Sequence, residues 1–190
     1  MKRVFLVHGW GGSPDREWFP WLSTELEKRG FTAVALALPD SEHPHIDAWV
    51  SALAAAVGTP DADTYFVGHS MGCQTVARYL AELDESITVG GIVYVGGYFD
   101  TLTLGEDEEV GIWDEWREAP VDLARVRARA PKSIAFFSDD DPYVPLENAK
   151  RFELELGSKV IIEHAQSHFN GDAYAQIPFV LDAVLELAQS

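Results

Sequence analysis

Short apolar runs rich in Val, Ile, Phe and Ala alternate along this chain with longer amphipathic segments, and that alternation leaves few architectures open. Strands buried on both faces read as continuous apolar runs, and parallel neighbours need helical crossovers to join them. The pattern predicts an α/β fold in which helices cover both faces of a mostly parallel sheet. Six strands are expected, at Arg3–Val7, Thr32–Ala37, Thr64–Val67, Gly91–Val95, Ser133–Ser138 and Val160–Glu163. Helices are expected near Trp18–Arg29, Ile46–Val57, Met71–Leu83, Val121–Ala130, Leu146–Leu156 and Ile177–Ala188. No repeat, low-complexity tract or linker interrupts the series, and 190 residues suit one domain, so a single domain over 1–190 is expected.

One connection is longer than the others. Gly97 to Pro120 carries Tyr98, Phe99, Leu102, Leu104, Ile112, Trp113 and Trp116 interleaved with Glu106, Asp107, Glu108, Glu109, Asp114 and Glu115. Long excursions in a compact α/β domain usually serve function, so this one reads as a short lid, with Trp113 and Trp116 as candidate pocket residues. The competing expectation is a loop packed on the sheet edge, its aromatics in the core and its acids in solvent.

The charge balance excludes one class of partner. With 31 Asp+Glu against 14 Lys+Arg the net charge is −17, spread along the chain, and such a field repels nucleic acid. A soluble acidic surface accounts for it; the five lysines also fit a halophilic source. Met1-Lys2-Arg3 leads into only a short apolar run before His8-Gly9, and no run approaches the roughly 20 residues that span a bilayer, so neither export nor a membrane partner is expected. The single cysteine, Cys73, excludes an internal disulfide and fits a reducing, cytoplasmic setting.

Gly68-His69-Ser70-Met71-Gly72 stands where a predicted strand turns into a predicted helix, the context a nucleophile elbow requires. The serine of such an elbow sits on a strained turn that lifts its hydroxyl above the sheet, and glycines two residues to either side avoid collision with neighbouring backbone. Met71 opens the helix, so its backbone N–H is placed to hold an oxyanion formed at Ser70.

An acyl-transfer serine needs a histidine base and a carboxylate to orient it, in the chain order Ser, acid, His. Ser138-Asp139-Asp140-Asp141-Pro142-Tyr143-Val144-Pro145 puts acids at the carboxyl end of the fifth strand, where open α/β sheets build their sites. Asp141 is preferred because the prolines around it fix its turn, while Asp139 and Asp140 are read as turn caps or solvent-facing. After the sixth strand His164 and His168 are both candidates; His168, in the following loop, has the reach to lie between Ser70 and Asp141. His69 is expected to point away, and His43 with His45 has no third metal ligand at a recognisable spacing. His8-Gly9-Trp10-Gly11-Gly12 ends the first strand and suits a second oxyanion donor, the Trp10 N–H. A dinucleotide fingerprint fails there, since Pro14 replaces the third glycine, and no phosphate loop occurs elsewhere. Cys73 is read as a small buried hydrophobe packing the helix.

With these residues in place the chain resembles the compact α/β-hydrolase family of YdeN-type proteins and retinoblastoma-binding serine hydrolases. The resemblance runs nearly end to end, through Val7-His8-Gly9-Trp10, Glu17-Trp18-Phe19-Pro20-Trp21-Leu22, the elbow through Cys73, Asp141-Pro142-Tyr143-Val144-Pro145 and His168-Phe169-Asn170. It implies strand order 2-1-3-4-5-6, with Ser70, Asp141 and His168 as the triad and no cofactor. The function expected is a serine hydrolase acting on small-molecule acyl esters through an acyl-enzyme, carboxylesterase-like. The alternatives are a thioesterase or amidase on the same triad, or a catalytically weak protein-interaction module, although no feature points to a protein partner.

Overall fold

The computed structural model describes every residue except Asp100, Gly105, Glu106, Asp172 and Ser190, and gives the backbone alone for residues 107–110. Strands β1 (Arg3–Val7), β2 (Thr32–Ala35), β3 (Thr64–His69), β4 (Gly91–Val95), β5 (Ser133–Ser138) and β6 (Lys159–Glu163) form one sheet in the order β2-β1-β3-β4-β5-β6, every neighbouring pair parallel. The helices are α1 (Phe19–Glu27), α2 (Ile46–Val57), α3 (Met71–Glu82), α4 (Asp107–Glu118), α5 (Leu123–Arg129), α6 (Asn148–Arg151) and α7 (Pro178–Gln189). A π-helical turn, Phe152–Leu156, continues α6.

Side chains alternate across a strand, and here both sides are buried. Val4 and Leu6 of β1 pack with Val93 and Val95 of β4 under α1 and α7. Phe5 and Val7 face the other way, into a core with Phe66, Tyr94 and Phe137 beneath α2 to α6. The central strands therefore read as unbroken apolar runs, while β2 and β6, at the two edges, are only partly buried.

The register decides where a site can form. Val7 pairs with Gly68, His69 with Val95, and Ser138 with Glu163, so the carboxyl ends of β1, β3, β4, β5 and β6 finish close together. Whatever follows each strand is gathered at that edge.

The long excursion contains a helix that the sequence pattern concealed. Seven of the twelve residues of α4 are charged and Gly111 sits mid-helix, where it costs about 1 kcal/mol against alanine, so intrinsic preference is weak. Tertiary contacts compensate. Glu115 accepts the Ile46 N–H at 2.9 Å and meets His45 Nδ1 at 2.8 Å, capping α2 from across the fold. Trp116 Nε1 donates to the Pro44 carbonyl at 2.9 Å and its ring meets Trp49 edge-on.

Candidate active site

Ser70 links β3 to α3 with φ 53° and ψ −122°, a conformation that a non-glycine residue adopts only under constraint. The constraint comes from packing on both sides. A Cβ on Gly72 would stand 2.2 Å from the Val7 carbonyl oxygen, and one on Gly68 would stand 2.8 Å from Cys73 Cα, so β1 and α3 close on the turn as only glycine permits. The Ser70 N–H donates to Val95 O at 2.9 Å, tying the turn to β4. Cys73 lies beneath it, fully buried, its thiol donating to Gly68 O; burial pushes that thiol up to about 12, so it stays protonated.

Asp141 and His168 meet. His168 Nδ1 lies 2.7 Å from Asp141 Oδ2, and the two side chains are 6% and 2% exposed. The other carboxylate oxygen accepts the N–H groups of Tyr143 and Val144, each at 2.9 Å, so the turn expected from the prolines holds the acid in place. With the carboxylate as acceptor, Nδ1 carries the proton and Nε2 is left as the basic nitrogen. Gly96, at the end of β4 with φ 54°, passes beside the pair; a Cβ there would lie 3.2 Å from His168 Cε1. His168 and Ser70 line the same cleft without a hydrogen bond between them, a contact that in hydrolases tightens as substrate binds.

The loop carrying His168 is strained. Ala165, Ser167 and Phe169 all have positive φ, each costing about 1–3 kcal/mol. The acid run holds it in place. Asp139 Oδ1 accepts the Ala165 N–H and Oδ2 meets His164 Nδ1, while Asp140 Oδ1 accepts the Ser167 N–H at 2.7 Å and the Ser138 hydroxyl at 2.7 Å. Ser138 Oγ in turn accepts the Gln166 N–H. These bonds hold the Asp139 and Asp140 carboxyls below the usual range, and Asp139 raises His164. His164 therefore belongs to the clamp, and among the described residues it is His168 that hydrogen-bonds Asp141.

The two carbonyls at the far end of the loop are also taken. His69 Nε2 donates to His168 O at 2.8 Å and Trp18 Nε1 donates to Phe169 O at 3.0 Å. His69 thus turns toward the site, contrary to expectation, its ring 4.9 Å from that of His168 and lining the cleft along Gly9–Gly12. His69 is buried, and desolvation pulls its pKa down to about 3.

At the end of β1 the buried ring of His8 fixes the glycine-rich turn: Nδ1 donates to Gly9 O at 2.8 Å and Nε2 accepts the Leu38 N–H. Burial lowers its pKa, in keeping with this neutral role. Gly11 N–H goes to Ser41 O and Gly12 N–H to Gly9 O, whereas the Trp10 and Met71 N–H groups have no protein partner among the described residues.

A cleft of about 300 Å³ lies over Ser70 and His168, walled by Trp10, Tyr98, Leu102, Leu104 and Tyr143, with Glu42 at its border. A second, of about 160 Å³, shares both residues and runs along Gly9–Gly12 to Arg16, Glu17 and Asn170. Trp113 and Trp116 line neither. They are 5% and 1% exposed, Trp113 against the Tyr98 ring and Trp116 against Trp49, so the excursion reaches the cleft through Tyr98, Leu102, Thr103 and Leu104. Of its acids, Glu106 and the side chains of Asp107, Glu108 and Glu109 lie outside the described residues. Sequence reasoning missed Tyr143, whose ring meets His168 edge-on at 5.2 Å, and Glu42; the Gly-Gly pair after β4 was a legible sign of Gly96.

Among the described residues no group of three His, Cys, Asp or Glu side chains could hold a metal ion, and no helix is long and apolar enough to cross a membrane.

A parallel sheet in this order, with a strained serine after β3 and a histidine–carboxylate pair after β6 and β5, defines an α/β-hydrolase. The model of the family described as "Serine hydrolase" matches residues 4–185, and the chain belongs to that family. It is similar to YdeN of Bacillus subtilis (strain 168), 27% identical over 184 residues covering 96% of this chain and 94% of that one. The crystal structure of the ydeN gene product superposes over the whole of both chains with a TM-score of 0.91. It is also similar to the serine hydrolase RBBP9 of Rattus norvegicus, 25% identical over 186 residues, 96% of this chain and 95% of that one. A monoacylglycerol lipase from Paleococcus ferrophilus shares the fold at 15% identity, with a TM-score of 0.74 over 99% of this chain and 95% of that one.

Proposed function

We propose that this hydrolase cleaves small acyl esters by two-step acyl transfer, with Ser70 as nucleophile, His168 as general base and acid, and Asp141 orienting the imidazole. The observation that carries the reading is the 2.7 Å Asp141–His168 contact beside a serine held in a strained turn above the same cleft. His168 Nε2 takes the hydroxyl proton as Ser70 Oγ bonds to the carbonyl carbon. The oxyanion formed is held by the Met71 and Trp10 N–H groups, for which no acceptor among the described residues competes. Collapse breaks the bond to the leaving alkoxide, which receives the proton from Nε2. A water, deprotonated by Nε2, then attacks the acyl carbon, and Ser70 leaves with its proton restored.

A cleft of about 300 Å³ with one aromatic-aliphatic wall suits a short acyl chain, and small-molecule binding sites begin at about this size. The net charge of −17 disfavours nucleic acid as a partner. The single cysteine fits a cytoplasmic setting.

A fluorophosphonate probe should label Ser70, and a panel of matched short acyl esters, thioesters and amides should show the esters turned over fastest. Absence of labelling in a folded sample would favour the interaction-module reading, and a thioester or amide preference would move the substrate class.

A further inference from the structure

β6 ends the sheet, and its outer side faces no other strand. Glu163 O accepts the Asp139 N–H at 3.1 Å, so the Glu163 backbone is turned toward β5. Along a strand the N–H and C=O groups of successive residues point to alternate sides, which turns those of Ile161 and Lys159 inward as well and those of Val160 and Ile162 outward. Among the described residues nothing is hydrogen-bonded to these outward groups.

The side chains of this edge are apolar where water meets them. Val160 packs against the core that holds Phe152 and Leu156 of the π-helical turn, and Ile162, on the same face of β6, is 57% exposed. Leu154, on that turn, is 73% exposed. The register with β5 runs without a bulge, no proline interrupts Val160-Ile161-Ile162, and the strand's two charges, Lys159 and Glu163, stand at its ends. Such an edge is a template for a further strand. β2, at the opposite edge, exposes no large apolar side chain.

We propose that β6 pairs with β6 of a second copy of this chain, antiparallel about a two-fold axis centred on Ile161. Lys-Val-Ile-Ile-Glu is complementary to itself in that register: Lys159 stands opposite Glu163 of the second copy, Val160 opposite its Ile162, and Ile161 opposite its Ile161. The outward groups of Val160 and Ile162 then meet their counterparts across the axis in reciprocal N–H···O=C bonds. The opposite charges meet at pairs without ladder bonds, where facing side chains lie closest. Lys159 Nζ makes two bonds to Glu186 of α7, at 2.8 and 2.9 Å, and keeps its third donor for Glu163 of the second copy. A slip of two residues in either direction sets one of the charges opposite Ile161 instead. The edge is short and each copy carries a net charge of −17, so the dimer is weak, and weakest at low salt.

The test is sedimentation equilibrium of the whole protein from about 1 µM to 1 mM, in low salt and in about 0.5 M sodium chloride. The mass should rise from the 21.0 kDa of one chain toward twice that value, and at lower concentration in high salt, where the repulsion between copies is screened. Ile162→Pro removes an outward N–H that the native sheet does not use, so it should keep its circular dichroism and stay monomeric. Glu163→Lys sets like charges opposite each other at both ends and should weaken the dimer by about 10-fold, and Lys159→Glu combined with Glu163→Lys should restore it. These charge variants lie at the surface and decide the matter whether or not Ile162→Pro folds. A mass that stays at one chain in high salt, growth past two chains, dimerisation undiminished in a folded Ile162→Pro, or a double variant no tighter than Glu163→Lys each overturns the proposal.

Discussion

His69 Nε2 donates to the backbone carbonyl of His168 at 2.8 Å, and the two rings lie 4.9 Å apart, tilted by 43°. The residue before Ser70 therefore grips the residue proposed as its base, across 99 positions of sequence. This bond ties the backbone of the His168 loop to the turn that carries Ser70, beside the contacts made by Asp139, Asp140 and Asp141. Because burial keeps His69 neutral down to about pH 3, it holds this bond without competing for the protons that His168 would exchange.

That depressed pKa makes stability depend on pH in a stated window. Between about pH 6.5 and 3 the unfolded chain binds a proton at His69 and the folded protein does not, so stability falls as pH is lowered through this range. The limiting slope for one such group is about 1.4 kcal/mol per pH unit. His69→Gln keeps an amide donor for His168 O but cannot titrate, so its urea-derived stability should fall less steeply over the same range. The lowered Asp139 and Asp140 carboxyls also lose stability in acid, but equally in both proteins. Identical slopes would show that His69 contributes no linkage.

Replacing the proposed nucleophile gives the sharpest kinetic test. Ser70→Ala should retain the fold by circular dichroism and lose ester turnover by up to about 10⁶-fold. Cys73→Ala should keep most activity, since the thiol is buried and pushed up to about 12. Residual turnover in Ser70→Ala that Cys73→Ala abolishes would transfer the role to the cysteine.

The acid run yields a prediction that separates positioning from chemistry. Asp140 accepts the Ser167 N–H and the Ser138 hydroxyl within the strained loop, and Asp139 accepts the Ala165 N–H. Asp140→Ala should lower kcat by about 10- to 100-fold with KM little changed, because a misplacement of about 1 Å at the base suffices for such a loss. Asp140→Asn, which retains an acceptor oxygen, should recover most of it. A loss in Asn as large as in Ala, with an altered pH profile, would mean that the Asp140 charge itself takes part.

Much of this was legible because short-range chemistry carried it. The glycines flanking Ser70, the apolar strands and the Asp-Pro turn each express a local requirement that the folded backbone meets. What escaped the sequence depends on distant partners. Helix α4 is weakly helical by composition and is held by Glu115 and Trp116 against the start of α2. Asp139 and Asp140 read only as turn caps or solvent-facing acids because their partners, the N–H groups of Ala165 and Ser167, lie on another loop. Trp113 and Trp116 read as pocket residues because a tryptophan on a long excursion carries no mark of which face will be buried.

The charge at the cleft bears on substrate choice. Glu42 borders the larger cleft, where the indole of Trp10 donates to its backbone carbonyl at 2.9 Å and Tyr98 and Tyr143 supply aromatic faces. With −17 overall, the field at the mouth favours cations, and the aromatic walls offer them cation–π contact. Small amino-bearing esters should show a higher kcat/KM than matched anionic ones at low salt. The difference should shrink as ionic strength rises, since exposed charges are screened over about 10 Å at 0.1 M. Glu42→Gln should remove part of the preference without altering turnover of a neutral ester. Equal kcat/KM for the two charge classes at low salt would show that the acidic surface has no part in selection.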